Sequence, residues 1–311
     1  MNPDGDAIGS SMGLYHFLKS LGAHPEVIIP NKMPGFLKWI PESSIIKVFT
    51  HNTGKAKEII RGAEIIFFLD FNSSDRTGKM KEYLSPAGAF RILIDHHPDP
   101  GVKADFVMSD ISVSSTAELV YLFIEWLGRA DMVSPVVAEC LYTGIMTDTG
   151  CFSYNSSQPG TYRVLSKLLE QGIDKDKIYD NVYDNFSEKR IRLLGYCLDK
   201  KMVVMQEYQT AYISLTKKEK EKYSFAIGDS EGFVNYPLSI KGIKFAAFFM
   251  ENEENVKLSF RSKGSFSVNE FSRKHFSGGG HHNAAGGESE LSLDDTIEKF
   301  RSLLPLYFEG D

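Results

Sequence analysis

The sequence has few cysteines and no long apolar segment. Of its 311 residues, three are cysteine (Cys140, Cys151 and Cys197) and two are tryptophan. Three scattered cysteines argue against a disulfide framework and favour a reducing compartment, so we expect a cytoplasmic protein. No apolar run approaches the roughly 18 residues of a membrane span, and the first residues lack the features of a signal peptide.

The sequence also lacks an excess of basic residues. Its formal net charge is −6, so the surface as a whole would not attract nucleic acid. Any polyanion must therefore be met by a local basic patch. The length allows one large domain or two ordinary ones, and the sequence contains no internal repeat.

The first half of the chain alternates apolar runs of strand length with helical patterns. "EIIFFLD" and "FRILIDHH" are near-continuous apolar runs that end in acidic or imidazole side chains. Such strands, separated by helices, predict a parallel sheet covered on both faces. The ligand site of such a sheet lies beyond the carboxyl ends of its strands.

The pattern changes after the middle of the chain. The segment from Ser114 to about Leu198 shows mostly helical spacing, whereas "TAYISL", "GIKFAAFFM" and "NVKLSFRS" further on have the character of strands. We therefore predict two domains of the α/β class. Residues 1–198 form a parallel-sheet domain that ends in a helical connector, and residues 199–311 form a smaller α+β domain.

Acidic and imidazole side chains cluster at the predicted strand ends and loops of the first domain. They are Asp4, Asp6, Asp70, Asp95, His96, His97 and Asp148. Carboxylates together with imidazoles suit divalent ions such as Mn²⁺ and Mg²⁺, and the absence of cysteine in ligand-like spacing argues against structural zinc. One carboxylate bridging two ions is the arrangement of phosphoryl-hydrolysing dimetal centres.

Each of these residues also has a simpler explanation. Asp4 and Asp6 could cap the helix that follows them, and for Asp70 alone a role in a turn is the better explanation. Two adjacent histidines directly after an apolar strand are unusual in a turn. A carboxylate at Asp148 would oppose the dipole of the helix that it ends, which favours a functional reason for it.

The second domain contains "HFSGGGHHNAAGG". Consecutive glycines allow backbone N–H groups to converge on an anion, His281 and His282 add imidazole donors, and Arg261 offers a bidentate phosphate contact. The alternative is a flexible glycine-rich loop. We favour anion binding because basic residues concentrate in this region of an acidic chain.

These motifs together resemble one family. "NPDGDAIGS", "FLDFNSSDRTG", "DHH" and "YTGIMTDTG" are similar to the four motifs of the DHH phosphoesterase superfamily, and "FRSKGSFSVNEFSRKHFSGGGHHNAAGG" is similar to its DHHA1 substrate-binding domain. Motif order, spacing and overall length are very similar to those of the nanoRNase/pAp-phosphatase branch. The resemblance implies a DHH domain and a DHHA1 domain with an active-site cleft between them.

The resemblance also implies residue roles. Asp4 and Asp70 would hold a first divalent cation, and Asp6, Asp70, His96 and Asp148 a second. We expect both cations to be Mn²⁺, with Mg²⁺ and Co²⁺ as alternatives. His97 would face the phosphate or leaving group, and Asp95 would orient the histidines. The substrate's terminal phosphate would be held by Arg261, Ser262, Gly279, Gly280 and His281.

The expected activity is hydrolysis of phosphoesters by in-line attack of a hydroxide that bridges the two cations. Its substrates would be very short single-stranded RNA oligomers, cleaved exonucleolytically to mononucleotides, and 3′-phosphoadenosine 5′-phosphate (pAp), converted to AMP. We expect neither duplex nucleic acid nor a membrane as partner, and a homodimer is compatible with the sequence. The alternatives are an exopolyphosphatase or inorganic pyrophosphatase, and a nucleotide-binding protein that does not hydrolyse.

The second alternative arises at the start of the chain. In the family, a strand ending in a metal-binding histidine precedes the "NPDGDA" loop, whereas here only Met1 precedes it. We hypothesise that the native chain extends further upstream, and the alternative is a genuine short form with a weakened first metal site.

Overall fold

The structure, a computed structural model, describes residues 3–84 and 88–308. The chain divides into two units, Met1–Asn185 and Phe186–Asp311. No helix in the part of the chain that the structure describes is long and apolar enough to cross a membrane.

The first unit contains five strands and six helices within its described residues. The strands are β1 (Ile28–Ile29), β2 (Lys47–Val48), β3 (Ile65–Leu69), β4 (Phe90–Asp95) and β5 (Phe106–Ser109). The helices are α1 (Gly5–Ser20), α2 (Thr53–Gly62), α3 (Thr116–Trp126), α4 (Pro135–Asp148), α5 (Pro159–Leu169) and α6 (Lys175–Tyr183). Strands β3, β4 and β5 form a parallel sheet in that order, and β1 pairs with β2 in a separate parallel pair.

The central strand β4 is buried because both of its faces are covered. Ile92 and Ile94 pack into the cluster formed with α3, α4 and α5, whereas Leu93 packs on the opposite side with residues of α2 and β3. Alternate residues of a strand point to opposite faces, so an apolar run is needed to fill both layers. The predicted parallel sheet is confirmed, and its carboxyl edge carries Asp70 and Asp95.

The second unit is built on one six-stranded sheet. Its strands are β6 (Met202–Met205), β7 (Thr210–Leu215), β8 (Phe245–Glu251), β9 (Val256–Ser262), β10 (Gly279–His281) and β11 (Ala284–Ser289). Its helices are α7 (Glu188–Tyr196), α8 (Lys217–Lys222), α9 (Val268–His275) and α10 (Leu293–Leu303). The strand order is β10-β11-β9-β8-β7-β6, with β7 and β8 parallel and the other neighbours antiparallel.

Helices cover both faces of this sheet. Phe245 and Phe249 of β8 pack with Phe271 of α9 and Phe300 of α10, and the intervening Phe248 packs with Leu193 of α7. Because α7 shares a core with this sheet, it belongs to the second unit. The predicted domain limits, 1–198 and 199–311, stay a prediction.

The predicted elements are present, and several further ones were not anticipated. These are β2, β5, α6, β6, α8 and the hairpin of β10 and β11. The hairpin includes the glycine-rich segment, for which the sequence predicts no strand. Glycine has weak intrinsic strand preference, so this segment becomes a strand through the pairing of β10 with β11 and of β11 with β9.

Candidate active site

Asp4 and Asp6 cap two different helices. The Asp4 carboxylate accepts from the Ala7 N–H at 3.1 Å and so caps α1. Asp6, in the first turn of α1, instead accepts from two N–H groups that begin α3, from Thr116 at 2.7 Å and Ala117 at 2.9 Å. Capping uses one lone pair on each contacting oxygen, so it is compatible with metal binding by both residues.

Asp70 follows β3 directly and has a left-handed backbone, with φ of +62°. Its N–H donates to the Ile94 carbonyl at 3.3 Å, which continues the pairing with β4. Its carboxylate accepts from the Thr116 hydroxyl at 3.1 Å. A positive φ is uncommon outside glycine and tends to occur at functional positions, so the conformation supports more than a role in a turn.

His96 lies between three carboxylates. Its Nε2 is 3.8 Å from an Asp6 oxygen, 3.8 Å from an Asp70 oxygen and 3.5 Å from an Asp148 oxygen. Metal–ligand distances of about 2.0–2.2 Å place two ligands of one ion roughly 3–4.3 Å apart, depending on the angle between them. The separations and the donor set therefore fit a hard or borderline divalent cation.

Burial and mutual repulsion disfavour ionisation of the Asp6 and Asp70 carboxylates. Burial, with the nearby Asp4 charge, raises the pKa of Asp6 to about 7, although two N–H donors oppose the shift. Burial and the charges of Asp6, Asp4 and Asp148 raise the pKa of Asp70 well above its ordinary value. A bound cation would favour the ionised forms, so the cluster has the electrostatics of a metal site.

His97 is paired with a buried carboxylate. Its Nδ1 lies 2.7 Å from Asp95 Oδ1, and desolvation raises the pKa of Asp95 to about 6. Desolvation and the Arg76 charge lower the pKa of His97 to about 3. At neutral pH the pair is therefore mostly a carboxylate and a neutral imidazole, and because a carboxylate only accepts, Nδ1 carries the proton.

Glycines allow α1 and α4 to approach closely at this site. A Cβ on Gly9 would lie 2.6 Å from the Cys140 carbonyl oxygen, and one on Gly144 would lie 2.5 Å from Ala117 Cβ and 3.0 Å from Asp6 Oδ1. The absence of these Cβ atoms lets Asp6 on α1 approach the start of α3. Sequence reasoning did not identify this role, although Gly5, Gly9 and Gly13 recur every four residues.

Three neighbouring strands of the second unit align the predicted phosphate-binding residues. His281 of β10 lies opposite Ala284 of β11, and Ala284 lies opposite Arg261 of β9. Residues directly opposite across paired strands share a face, so Arg261 and His281 flank the small Ala284 side chain. With strands about 4.8 Å apart, the backbones of these two predicted contacts are separated by roughly 10 Å, a spacing that leaves room for an anion.

Two of the other predicted phosphate contacts, Ser262 and Gly280, already make hydrogen bonds within the second unit. The Ser262 hydroxyl donates to the Phe266 carbonyl at 2.7 Å, and its N–H donates to the Asn283 carbonyl at 3.0 Å. The Gly280 N–H donates to the Asn269 side chain at 2.9 Å. In this structure the Gly280 N–H is directed to the Asn269 side chain, and the convergence of consecutive glycine N–H groups on an anion stays a prediction.

The roles of Ser262, Gly279 and Gly280 in binding substrate stay predictions. Gly280 has a structural reason of its own, because a Cβ there would clash with the Ala284 carbonyl oxygen.

Thr116 and Glu118 are buried polar residues beside the cluster that sequence reasoning missed. Ser115 caps α3 by accepting from the Glu118 N–H at 3.1 Å. The spacing of Ser115 and Glu118 before an apolar helix is a recognised helix-start pattern, and it could have drawn attention to this turn.

Comparisons with known proteins agree with the motifs. The model of the DHH family, N-terminal domain, matches residues 1–145, and the model of the DHHA1 domain matches residues 207–309. A bifunctional oligoribonuclease and PAP phosphatase NrnA of Thermus thermophilus is 30% identical over 303 residues, covering 96% of this chain and 85% of that protein. A protein of the same description from Bacillus subtilis is 28% identical over 296 residues, covering 95% and 88%.

A solved structure is also similar. The crystal structure of an exopolyphosphatase-related protein from Bacteroides fragilis matches with a TM-score of 0.93 at 45% identity, covering 98% of this chain and 89% of that chain. The resemblance and the two-domain α/β fold class are thereby confirmed. The chain belongs to the DHH family and carries an N-terminal DHH domain followed by a DHHA1 domain.

Proposed function

We propose that this protein is a divalent-metal-dependent phosphohydrolase of short nucleotides. It cleaves very short oligoribonucleotides to mononucleotides and removes the 3′-phosphate of pAp to give AMP. The observation that carries the proposal is the position of His96 Nε2, 3.5–3.8 Å from carboxylates of α1, of the residue after β3 and of the end of α4. The names of the Thermus and Bacillus relatives support the substrate class.

The acidic and imidazole side chains would hold two cations, which we propose to be Mn²⁺. Asp4 and Asp70 would hold the first, and Asp6, Asp70, His96 and Asp148 the second. When bound, two such ions acidify water and neutralise charge on the phosphoryl group. The carboxylates determine where the ions bind, and Asp70 would be shared between them.

His97 is the proposed catalytic imidazole, and Asp95 fixes its orientation. Since Nδ1–H donates to Asp95 at 2.7 Å, Nε2 carries the lone pair of the ring. Nε2 is then the atom that would accept a proton or a hydrogen bond from the substrate. Asp95 also stabilises the imidazolium if the ring takes up a proton.

The DHHA1 domain would select substrates that carry a second phosphate. Arg261 and His281 would bind a terminal phosphate, with Ser262, Gly279 and Gly280 as further predicted contacts. A site for a phosphate that does not react suits pAp and 5′-phosphorylated dinucleotides. Each carries two phosphoryl groups, so that one can be bound while the other is hydrolysed. We propose no binding surface for long single-stranded or duplex nucleic acid.

A second candidate function is hydrolysis of polyphosphate. It is favoured by the description of the Bacteroides fragilis protein as exopolyphosphatase-related. Polyphosphate also carries neighbouring phosphorus groups, so the Arg261 and His281 pair alone does not separate the two functions.

Turnover of three substrates tests the proposal. Product release is measured from pAp, a 5′-phosphorylated diribonucleotide and a short polyphosphate, with Mn²⁺ and with chelator. We expect Mn²⁺-dependent turnover of the two nucleotides, loss of it in His96→Gln, and unchanged rates in His24→Gln, which alters an exposed histidine.

Nucleotide turnover in chelator, or full activity of His96→Gln, would contradict the proposed centre. Faster release from polyphosphate than from either nucleotide would favour the second candidate.

We propose a cytoplasmic location on the basis of the free cysteines Cys140, Cys151 and Cys197. The homodimer and the domain limits 1–198 and 199–311 are retained as proposals.

A further inference from the structure

The turn that begins α3 contacts two of the proposed metal ligands at once. The N–H groups of Thr116 and Ala117 donate to the two oxygens of Asp6, at 2.7 and 2.9 Å. The Thr116 hydroxyl donates to Asp70 Oδ1 at 3.1 Å. Thr116 therefore joins a carboxylate of α1 to one at the carboxyl end of β3.

The turn itself is fixed by a second set of buried contacts. Glu118 Oε2 accepts from the Ser114 N–H at 2.9 Å and the Ser114 hydroxyl at 2.6 Å. It also accepts from the Thr161 hydroxyl of α5 at 2.9 Å. Glu118 therefore links Ser114, which precedes the α3 cap, to α5. These bonds restrict the movement of Thr116, which lies between Ser114 and Glu118.

We propose that Thr116 is a positioning residue of the metal centre. Its hydroxyl orients Asp70 and its N–H, with that of Ala117, orients Asp6, so both carboxylates are directed before a cation arrives. Glu118 stabilises the turn by accepting hydrogen bonds from the Ser114 N–H and hydroxyl. The inference rests on the proposed metal site and extends it to a residue that does not itself bind the cation.

Positioning is needed because two negatively charged carboxylates must be held close together away from water. Asp6 and Asp70 are both buried and their negative charges repel each other, so holding the two carboxylates side by side is unfavourable before a cation binds. Hydrogen-bond donors behind a ligand hold its orientation, and their loss typically weakens metal binding by about 10–100-fold. Thr116 supplies donors to two ligands from one residue.

Calorimetric titration of the metal-free protein with Mn²⁺ tests the inference. Thr116→Val keeps the shape and the backbone N–H but removes the hydroxyl, and we expect Mn²⁺ to bind about 10-fold more weakly. Thr116→Ser restores the hydroxyl and is expected to bind within about twofold of the original protein.

Thr143→Val is the matched control. Thr143 is a fully buried threonine whose hydroxyl donates to the Glu139 carbonyl of its own helix at 2.7 Å. Its replacement removes a buried hydroxyl without touching a carboxylate, so Mn²⁺ affinity should not change. Melting in chelator reports on folding for every variant, and Thr116→Ala carries the same comparison if Thr116→Val does not fold.

The results separate the inference from the proposed function. Absence of Mn²⁺ binding by the original protein would refute the proposed centre. Normal Mn²⁺ binding by Thr116→Val, or equal weakening in Thr116→Ser, would overturn the positioning role of the hydroxyl. Equal weakening in Thr143→Val would also overturn it, because a general packing effect would then explain the result.

Discussion

The two proposed binding regions of this protein are assembled in different ways. In the DHH domain, Asp6, Asp70, His96 and Asp148 come from four segments far apart in the sequence and meet only through helix and sheet packing. In the DHHA1 domain, Arg261 and His281 are aligned by the register of three neighbouring strands. One region therefore depends on three-dimensional packing and the other on strand pairing.

The difference extends to electrostatics. The carboxylates of the first region are buried and repel each other, which raises the pKa values of Asp6 and Asp70. Arg261 and His281 are only partly buried and lie on a strand face. We therefore expect changes in the first region to alter stability and metal binding together, and changes in the second to alter substrate binding alone.

The largest expected effect is that of Asp70→Asn. Asparagine keeps the shape and an oxygen for the Thr116 hydroxyl, but it removes the charge proposed to be shared by two cations. Turnover should fall by about 1,000-fold or more, since each missing charge interaction at a metal centre costs several kcal/mol.

Product release and Mn²⁺ titration of Asp70→Asn should both show the loss. The control is Asp75→Asn, which removes an exposed carboxylate five residues away that pairs with Lys81. A turnover rate for Asp70→Asn close to that of the control would remove Asp70 from the centre.

Arg261→Ala tests the second region. Loss of a charge-assisted bidentate contact costs about 1.5–3 kcal/mol, so KM for pAp should rise roughly 10–100-fold. Mn²⁺ affinity should stay the same because Arg261 is not among the proposed metal ligands. The control is Arg301→Ala, which removes an arginine of α10 that pairs with Glu298.

Steady-state kinetics measures KM for pAp in Arg261→Ala, and titration measures its Mn²⁺ affinity. A weakened Mn²⁺ affinity in Arg261→Ala would show that the two regions are not independent, and an unchanged KM would remove Arg261 from the phosphate site.

Gly144→Ala tests the dependence of the first region on packing. The added methyl would lie 2.5 Å from Ala117 Cβ and 3.0 Å from Asp6 Oδ1, so α4 must shift away from α3. Overpacking of this kind lowers the free energy of unfolding by about 1–3 kcal/mol, and displacement of Asp6 should weaken Mn²⁺ binding as well.

Denaturant unfolding measures the first effect and Mn²⁺ titration the second. Gly62→Ala, in a helix where a Cβ meets nothing within 4 Å, should change neither quantity appreciably. Normal stability and metal affinity in Gly144→Ala would contradict the packing explanation.

The smallest effect concerns pH. The pKa of Asp6 is raised to about 7, against about 3.9 in an unfolded chain. Between these values the folded chain binds more protons than the unfolded chain, so this group lowers the free energy of unfolding as pH rises from about 4 to about 7.

Melting temperatures in chelator are measured at about pH 5.5 and about pH 8, on either side of this titration. The two temperatures should differ less in Asp6→Asn than in the original protein. Asp105→Asn is the control, because pairing with Arg91 lowers the pKa of Asp105 and the group stays ionised over this range. An unchanged pH dependence in Asp6→Asn would show that Asp6 is already ionised in the metal-free protein.

Much of the fold could be predicted from the sequence because its signals are local. Apolar runs and helical spacing indicated β3, β4, α1, α3 and α4, and the polar ends of two strands indicated Asp70 and the Asp95–His97 group. Strands β10 and β11 could not be found in this way, because their glycines and alanines form strands only through the pairing of β10 with β11 and of β11 with β9.

The candidate site was predictable as a set of residues but not as an arrangement. The motifs identified which carboxylates and histidines to consider. They did not show that Asp6 caps α3 rather than its own helix, because that contact joins residues 110 positions apart. They also did not show that the donors of Ser262 and Gly280 are used internally, since those bonds depend on the turn and on α9.

The most direct test of the central claim is anomalous scattering from crystals of the protein grown with Mn²⁺. Our account predicts one anomalous peak among Asp6, Asp70, His96 and Asp148 and a second beside Asp4 and Asp70. Peaks confined to other parts of the protein, or none in crystals that contain excess Mn²⁺, would contradict the assignment of this cluster as the metal centre.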